Sequence, residues 1–355
     1  MEAYLEVEKA REPAADLLKR LEAVAAPLKE KIYPRALLLL EEKRSAYEGK
    51  KIAYADYLTY LSSLLKKYKV DLSAQPEFAK FLDVALRDSK LDRALVESQR
   101  AEAIEALTKV LDKNSLNSLV SKSQDFKSGK ISAYDYYRNL ENLARAKGMN
   151  FEAYPAFLGY VEGVKQANEV DEPKVFAQMR AAEETLERSL LKNETQKQLY
   201  QIAKDSAIFD GLLKIKLTPD DYEYLKKNKE NFKAAAWCEF LGPLAAKYKI
   251  EARVPLDASA LDGNFEKFVR FYEIARERDV AFLNNSKKWM TKENQNIAVL
   301  VAGGFHTPNL LEMFKRDGIS YTVIAPKVTK ELNEAIYRKA LKEKWTKGDW
   351  ADIEK

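Results

Sequence analysis

Residues Ile297–Pro326 read IAVLVAGGFHTPNLLEMFKRDGISYTVIAP, and the fold assigned to the C-terminal part of the chain turns on them. IAVLVA is a continuous apolar run of β-branched and small residues, which suits a strand buried on both faces in a parallel sheet. Gly303-Gly304 follows, where backbone turns sharply or is approached closely. Thr307 is a good N-cap and Pro308 fits the first helical position. Leu310, Leu311 and Phe314 form the inner face of a helix that Gly318 ends. ISYTVIA, residues 319–325, is the next strand, stopped by Pro326. The pattern predicts a βαβ unit over 297–326 with a right-handed crossover. It places His306, the only histidine of the chain, at the carboxyl end of a strand and before a helix N-terminus. Open parallel sheets bind ligands at that edge, and the helix amides there favour an anion.

Working upstream, a long helix is expected over 262–290. Phe265, Phe268, Tyr272, Ala275, Phe282 and Ser286 share one face of it. Asp279 falls on the same face, with Arg276 one turn before and Arg278 adjacent. A carboxylate on an apolar stripe must be paired, hydrogen-bonded or beside a wet site. Two readings stand: an Arg–Asp pair anchoring the helix, or a polar cluster beneath a pocket. Before this helix, Asn231–Lys247 reads as helix with a break at Gly242-Pro243. The segment IEARVPLDAS, Ile250–Ser259, reads as loop or short edge strand.

Residues 1–230 read as helix throughout. Pro13 and Pro34 each open a helix near the N-terminus, the second stopping near Gly49. The chain then repeats itself at a constant offset of 79 residues, the distance from Lys43 to Lys122. Tyr47 matches Phe126, Ile52 matches Ile131, Asp56 matches Asp135, Tyr57 matches Tyr136 and Leu61 matches Leu140. The register runs on to Pro76/Pro155, Phe78/Phe157 and Phe81/Tyr160. Each copy joins two helices through a Gly/Lys linker. Ser132 and Thr218, each with an acid three residues on, have the form of N-caps, whereas Ala53 has lost the hydroxyl. The expected architecture is therefore mainly α: a helical-hairpin array with a duplicated unit of 79 residues, domain 1–230, followed by a small α/β piece, domain 231–355.

Composition narrows the function. The 355 residues carry 60 basic and 55 acidic side chains, a net charge of +5, interleaved rather than gathered into a stripe, so nucleic acid is not an expected partner. No apolar run reaches the ~20 residues of a membrane span. Met1 opens no signal pattern, so the chain read from there is expected to be cytoplasmic. The single Cys238 excludes an intrachain disulfide and reads as a small hydrophobe. No GxSxG or GxxxxGK[ST] is present, which removes serine-elbow and P-loop chemistry. A catalytic zinc takes about three protein ligands. Beyond His306 they would be carboxylates such as Glu273, Asp279 or Glu312.

FYEIARERD (Phe271–Asp279), followed downstream by VLVAGGFHTPNLLEMFKRDGISYTVIAPKV, resembles the C-terminal half of the Tiki/TraB/ChaN-like superfamily, and within it bacterial members with a GGFHT loop. The resemblance covers roughly the last hundred residues, and the DYY-containing helical region is similar to an insertion of such members. It implies an α/β fold whose two related halves close one site, and metal-dependent peptidase, haem-linked or esterase-like activity. Carried over, Arg278 is the helix arginine, and Gly303 and His306 belong to the Gly-x-x-His at a strand end. His306 is then metal ligand or general acid/base, Arg278 holds an anionic group, and Gly303, Gly304, Thr307 and Asp279 line the substrate position. Asn309 stands where the related pattern has glycine. The family's other half supplies a second motif histidine and an acid on strands that this chain does not contain. The expectation is a partial member, completed by a missing N-terminal half or a second chain, with a divalent metal as cofactor and hydrolysis as reaction class. The alternative is a non-catalytic helical scaffold. Two strands make a poor sheet, so both are expected to lie mainly under helices with an exposed edge.

Overall fold

The structure is a computed structural model that describes residues 2–325. In chain order its helices are α1 (Glu2–Ile32), α2 (Arg35–Glu48), α3 (Tyr54–Lys67), α4 (Pro76–Asp88), α5 (Arg93–Thr108), α6 (Lys113–Lys127), α7 (Ala133–Ala146) and α8 (Pro155–Asn168). They continue as α9 (Glu172–Leu190), α10 (Glu194–Leu213), α11 (Pro219–Lys227), α12 (Ala234–Lys247), α13 (Ser259–Asp262), α14 (Phe265–Lys292) and α15 (Thr307–Arg316). Helix dominates, as a sequence with few breakers demands. The described residues form two compact units, 33–197 in one and the residues up to 32 and from 198 onward in the other. The expectation drew its boundary at residue 230 instead. Periodicity does not reveal that α1 packs against α12, α13 and α14.

Helix α1 runs through Pro13 and Pro27 instead of starting at Pro13. Val7, Ala14, Leu17, Leu21, Val24 and Leu28 are buried along it. That continuous stripe outweighs the hydrogen bonds the two prolines remove. Likewise Pro243 lies inside α12, where a break was expected. In this unit Phe209 of α10 meets Trp237 of α12 and Phe265 and Phe268 of α14, ring centroids 5.7–6.4 Å apart. The expected caps form: Thr218 and Asp221 make a reciprocal capping box, and Ser132 accepts from the Asp135 amide at 3.0 Å. Ala53 caps nothing with its side chain.

The unit of residues 33–197 holds the repeat, and the repeat is longer than the legible sequence identity. Shifted by 79 residues, the distance already found between Lys43 and Lys122, α2, α3, α4 and α5 fall on α6, α7, α8 and α9. Left-handed backbone recurs in the same register: Lys50 at φ 57° against Gly129 at 72°, and Lys69 at 52° against Gly148 at 69°. The fourth helices do not pack on their own predecessors. Helix α5 lies against α8, and α9 returns to α4. Two glutamines mark the correspondence. Gln99 on α5 accepts from the amides of Ala156 (2.7 Å) and Phe157 (3.2 Å), at the start of α8. Its counterpart Gln178 on α9 accepts from Glu77 (2.8 Å) and Phe78 (3.1 Å), at the start of α4. Between α4 and α8, Arg87 donates to Gln166, its own repeat equivalent, as expected where a local two-fold axis passes. Thus α9 does for the first repeat what α5 does for the second, and the array closes on itself.

The expected βαβ unit is formed only in its helix. No strand is present among the described residues, and 297–302 and 319–325 are irregular. Within 297–302 and 320–325 no backbone hydrogen bond is made among the described residues. Ile297, Val299, Val301 and Ile324 are 85–91% exposed. The physical reason is that an extended segment satisfies its backbone only through a neighbouring strand. Residues 326–355, the end of domain 231–355, lie outside the described residues.

Candidate functional site

Helix α14 carries one wall of the site. Its apolar face, with Phe265, Phe268, Tyr272 and Leu283 buried, also buries Asp279 completely. The opposing wall is the GGFH turn and α15. His306 donates its amide to Gly303 at 3.0 Å and Thr307 its amide to Gly304 at 3.3 Å, which folds the turn into the helix start. Neither glycine adopts positive φ, and an added Cβ at Gly303 meets only His306, at 3.9 Å. Their smallness answers no steric need of the turn itself. Thr307 is the first helical residue, while His306 occupies the cap position and caps nothing with its ring. Gly318, at φ 66°, follows the helix end as expected.

Phe305 fastens this turn. Its ring lies 5.2 Å from Tyr272 of α14 and 6.1 Å from Tyr222 of α11, edge to face. Tyr272 is fixed in turn by accepting from the Leu217 amide at 3.1 Å. Leu310 and Met313 bury α15 against α14, and Lys287 meets Asp317 at 2.6 Å beyond its end.

The result is a short polar chain in an apolar setting. His306 Nδ1 lies 2.5 Å from Asp279 Oδ1, and Asn309 Nδ2 donates to Asp279 Oδ2 at 2.6 Å. An ionised carboxylate only accepts, so Nδ1 carries the proton and Nε2 is left as the basic nitrogen. Nε2 makes no hydrogen bond among the described residues. The imidazole is only 13% exposed, wedged between Phe282 and Phe305 at 5.3 and 5.8 Å. A carboxylate behind a histidine fixes its tautomer and orientation, an arrangement used both by proton-transferring and by metal-bound imidazoles.

Of the residues singled out in the sequence, Asp279, His306 and Thr307 come together with the glycine turn. Neither arginine pairs with Asp279. Arg276 bonds Glu223 of α11 at 2.8 Å and lies over the Tyr222 and Phe305 rings. Burial works against ionising Glu223, yet the Arg276 hydrogen bond holds its carboxyl below the ordinary range. Arg278 lies over Phe282, 5.3 Å from the centroid, one ring away from His306. In the sequence pattern Asn309 stands out only as a departure from glycine. Its role had a signal nonetheless, since three residues after His306 on a helix puts it on the same side. Neither Glu273 nor Glu312 joins His306. Among the described residues no group of three or more His, Cys, Asp and Glu side chains is placed to hold a metal. Cys238 is partly buried, and that burial pushes its thiol pKa up, which suits packing rather than nucleophilic use.

Beside the dyad a groove of about 380 Å³ runs between α14 and residues 297–300, lined by Phe282, Ser286, Trp289, Ile297 and Val299. Phe282 is thus shared by the groove and the His306 contact. Comparison with protein-family models, curated proteins and solved structures returned no match to this chain. No helix among the described residues is long and apolar enough to cross a membrane.

Proposed function

We propose that α14, the GGFH turn and α15 form one half of a hydrolytic site of the Tiki/TraB/ChaN-like kind. In this reading His306 Nε2 is the working atom, as ligand of a divalent metal or as general acid/base. Asp279 and Asn309 are its positioning residues. Arg278, one ring away, offers positive charge to an anionic group of the substrate. The observation that carries the reading is the Asp279–His306 pair: it orders an imidazole beside an apolar groove and leaves its second nitrogen without a partner among the described residues.

The other half is a strand-bearing polypeptide, either a missing N-terminal half or a second chain. Two apolar irregular segments whose amides and carbonyls find no partner among the described residues support this, because added strands satisfy both the backbone and the bare side chains. The remaining metal ligands belong to that half, and the βαβ unit becomes complete when it docks. A non-catalytic helical scaffold is the competing reading. It draws on the near-complete burial of the imidazole, which is how a histidine that merely pins a loop behaves.

One histidine makes the test direct. In tag-free protein, ¹⁵N NMR of the imidazole is expected to show Nδ1 protonated and Nε2 bare. Asp279→Asn, which replaces an obligate acceptor by an amide, relaxes that preference. Titration with Zn²⁺ or Mn²⁺ alone is expected to shift or broaden the Nε2 resonance first. An Nε2 indifferent to both ions and carrying the proton leaves only the scaffold reading.

A further inference from the structure

The two seats for the fourth helices are alike in shape and unlike in chemistry. In the second repeat Ala103 and Leu107 of α5 join an apolar cluster with Leu119, Tyr136, Leu140 and Phe157, and Ile104 packs against it. Tyr136 spends its hydroxyl on Ser123, 3.1 Å away. In the first repeat the corresponding apolar positions are again buried: Ala182 and Leu186 of α9, with Leu40, Tyr57, Leu61 and Phe78. Three of the four polar positions differ. Arg44 stands where the second repeat has Ser123, Glu183 where it has Ile104, and Glu187 where it has Thr108. The tyrosine is common to both.

These residues form one network. Arg44 pairs with Glu187 and with Glu183, its Nε 3.4 Å from Glu183 Oε2. Tyr57, fully buried, donates its hydroxyl to Glu183. Both glutamates are only 6% exposed. Burial raises the Glu183 pKa, even against the pull of Arg44 and the Tyr57 hydrogen bond. A network that the fold must hold at a cost is a weak source of stability. It is a strong source of selectivity, because either half without the other leaves buried charge uncompensated.

We propose that Arg44, Tyr57, Glu183 and Glu187 are a clasp that addresses α9 to the first repeat and so closes the array. The apolar ridge of α9 also matches the second seat. There, however, its two glutamates would face Ser123 and Tyr136, which offer hydroxyls and no cation. In the same exchange α5 would bring Ile104 and Thr108 to Arg44. Both mismatches vanish only when α9 returns to α2, α3 and α4. Closure has a consequence for the chain path: it brings residue 197 back to the repeat that begins at residue 33. The glutamine caps cannot supply this address, since Gln99 and Gln178 are the same residue type bonding repeat-equivalent amides in both seats.

Cysteine pairs in a Cys238→Ala full-length chain read the seat of α9. The pair Glu77→Cys/Gln178→Cys reports the first seat, and Ala156→Cys/Gln178→Cys the second. With the clasp intact, a short bis-maleimide is expected to join 77 to 178 and not 156 to 178. Making the clasp apolar, Arg44→Met/Glu183→Met/Glu187→Leu, keeps the packing and removes the address. The 156–178 product, or a 77–178 product between two chains, is then expected to rise several-fold at unchanged helicity by circular dichroism. A triple variant still joined only within one chain at 77–178 overturns the proposal. If the triple variant loses its helicity, Ser123→Arg in the otherwise intact clasp decides. A second cation draws α9 partly to the second seat and the 156–178 product appears; its absence refutes the address.

Discussion

Residues 33–197 and residues 279–325 meet the same physical demand in opposite ways. In the helical array the needs of each repeat are answered from within: α9 supplies to the first repeat what α5 supplies to the second, down to the glutamine that meets the start of α4 or α8. In the C-terminal segment one element is complete and its neighbours are not. Helix α15 buries Leu310 and Met313 and sets His306 on Asp279. On either side, apolar extended backbone finds no partner among the described residues. Helices satisfy their backbones alone and need only side-chain burial from their neighbours. Strands need neighbours for both. A helical array can therefore close on itself, whereas extended backbone stays open until it meets a partner.

The comparison breaks most easily in the core. Phe157→Ala, at a fully buried side chain of the array, is expected to cost about 3–5 kcal/mol in denaturant unfolding. Val299→Ala, in the exposed segment, is expected to stay within about 0.5 kcal/mol. A large loss at Val299 would show that the segment is covered in the free chain. Differences between the repeats come next. Gly129 and Gly148 sit at positive φ where the first repeat has Lys50 and Lys69. Gly148→Lys is expected to cost about 1 kcal/mol, and Lys69→Gly to gain a smaller amount, because glycine also loosens the unfolded chain.

The smallest effects are in acid, and the repeats should show them with opposite sign. Asp112, the N-cap of α6, is held well below its ordinary 3.8 by the Ser115 amide and then by Lys147 and the Ser115 hydroxyl. Its contribution is full above 3.8 and is lost as pH falls through the depressed value. Glu183 is raised above its ordinary 4.5, chiefly by burial. Its contribution is full below 4.5 and is lost as pH rises through the elevated value. Unfolding curves across pH should therefore show the deficit of Asp112→Asn shrinking in acid. The stability of Glu183→Gln relative to the parent chain should improve as pH rises past 4.5.

Much of this was legible before any coordinates. Residue identities at a fixed offset exposed the first three helices of each repeat. The fourth pair was hidden because so few of its positions agree: Asp92/Asp171, Val96/Val175, Gln99/Gln178, Ala103/Ala182, Glu105/Glu184 and Leu107/Leu186 are an N-cap position, a glutamine, a glutamate and a spaced apolar ridge. Caps at Ser132 and Thr218 and the helix stop at Gly318 were readable because each depends on residues within one turn. Asp279 could be recognised as a carboxylate in need of a partner, though its partner could not. Proximity in sequence favoured Arg276 and Arg278, but Arg276 meets Glu223 and Arg278 lies over the Phe282 ring.

By itself, then, the sequence determined what local chemistry decides: helices, their caps, the glycine that ends α15, and the oddity of a buried-face carboxylate and a lone histidine. Tertiary structure alone decided that α9 returns to the first repeat, that α1 belongs with α12–α14, and that His306 and not arginine answers Asp279. Those choices rest on which apolar face or buried polar group meets which partner across tens to more than a hundred residues. Hydrophobic periodicity carries no record of that, because it reports which face is buried and not what the face is buried against.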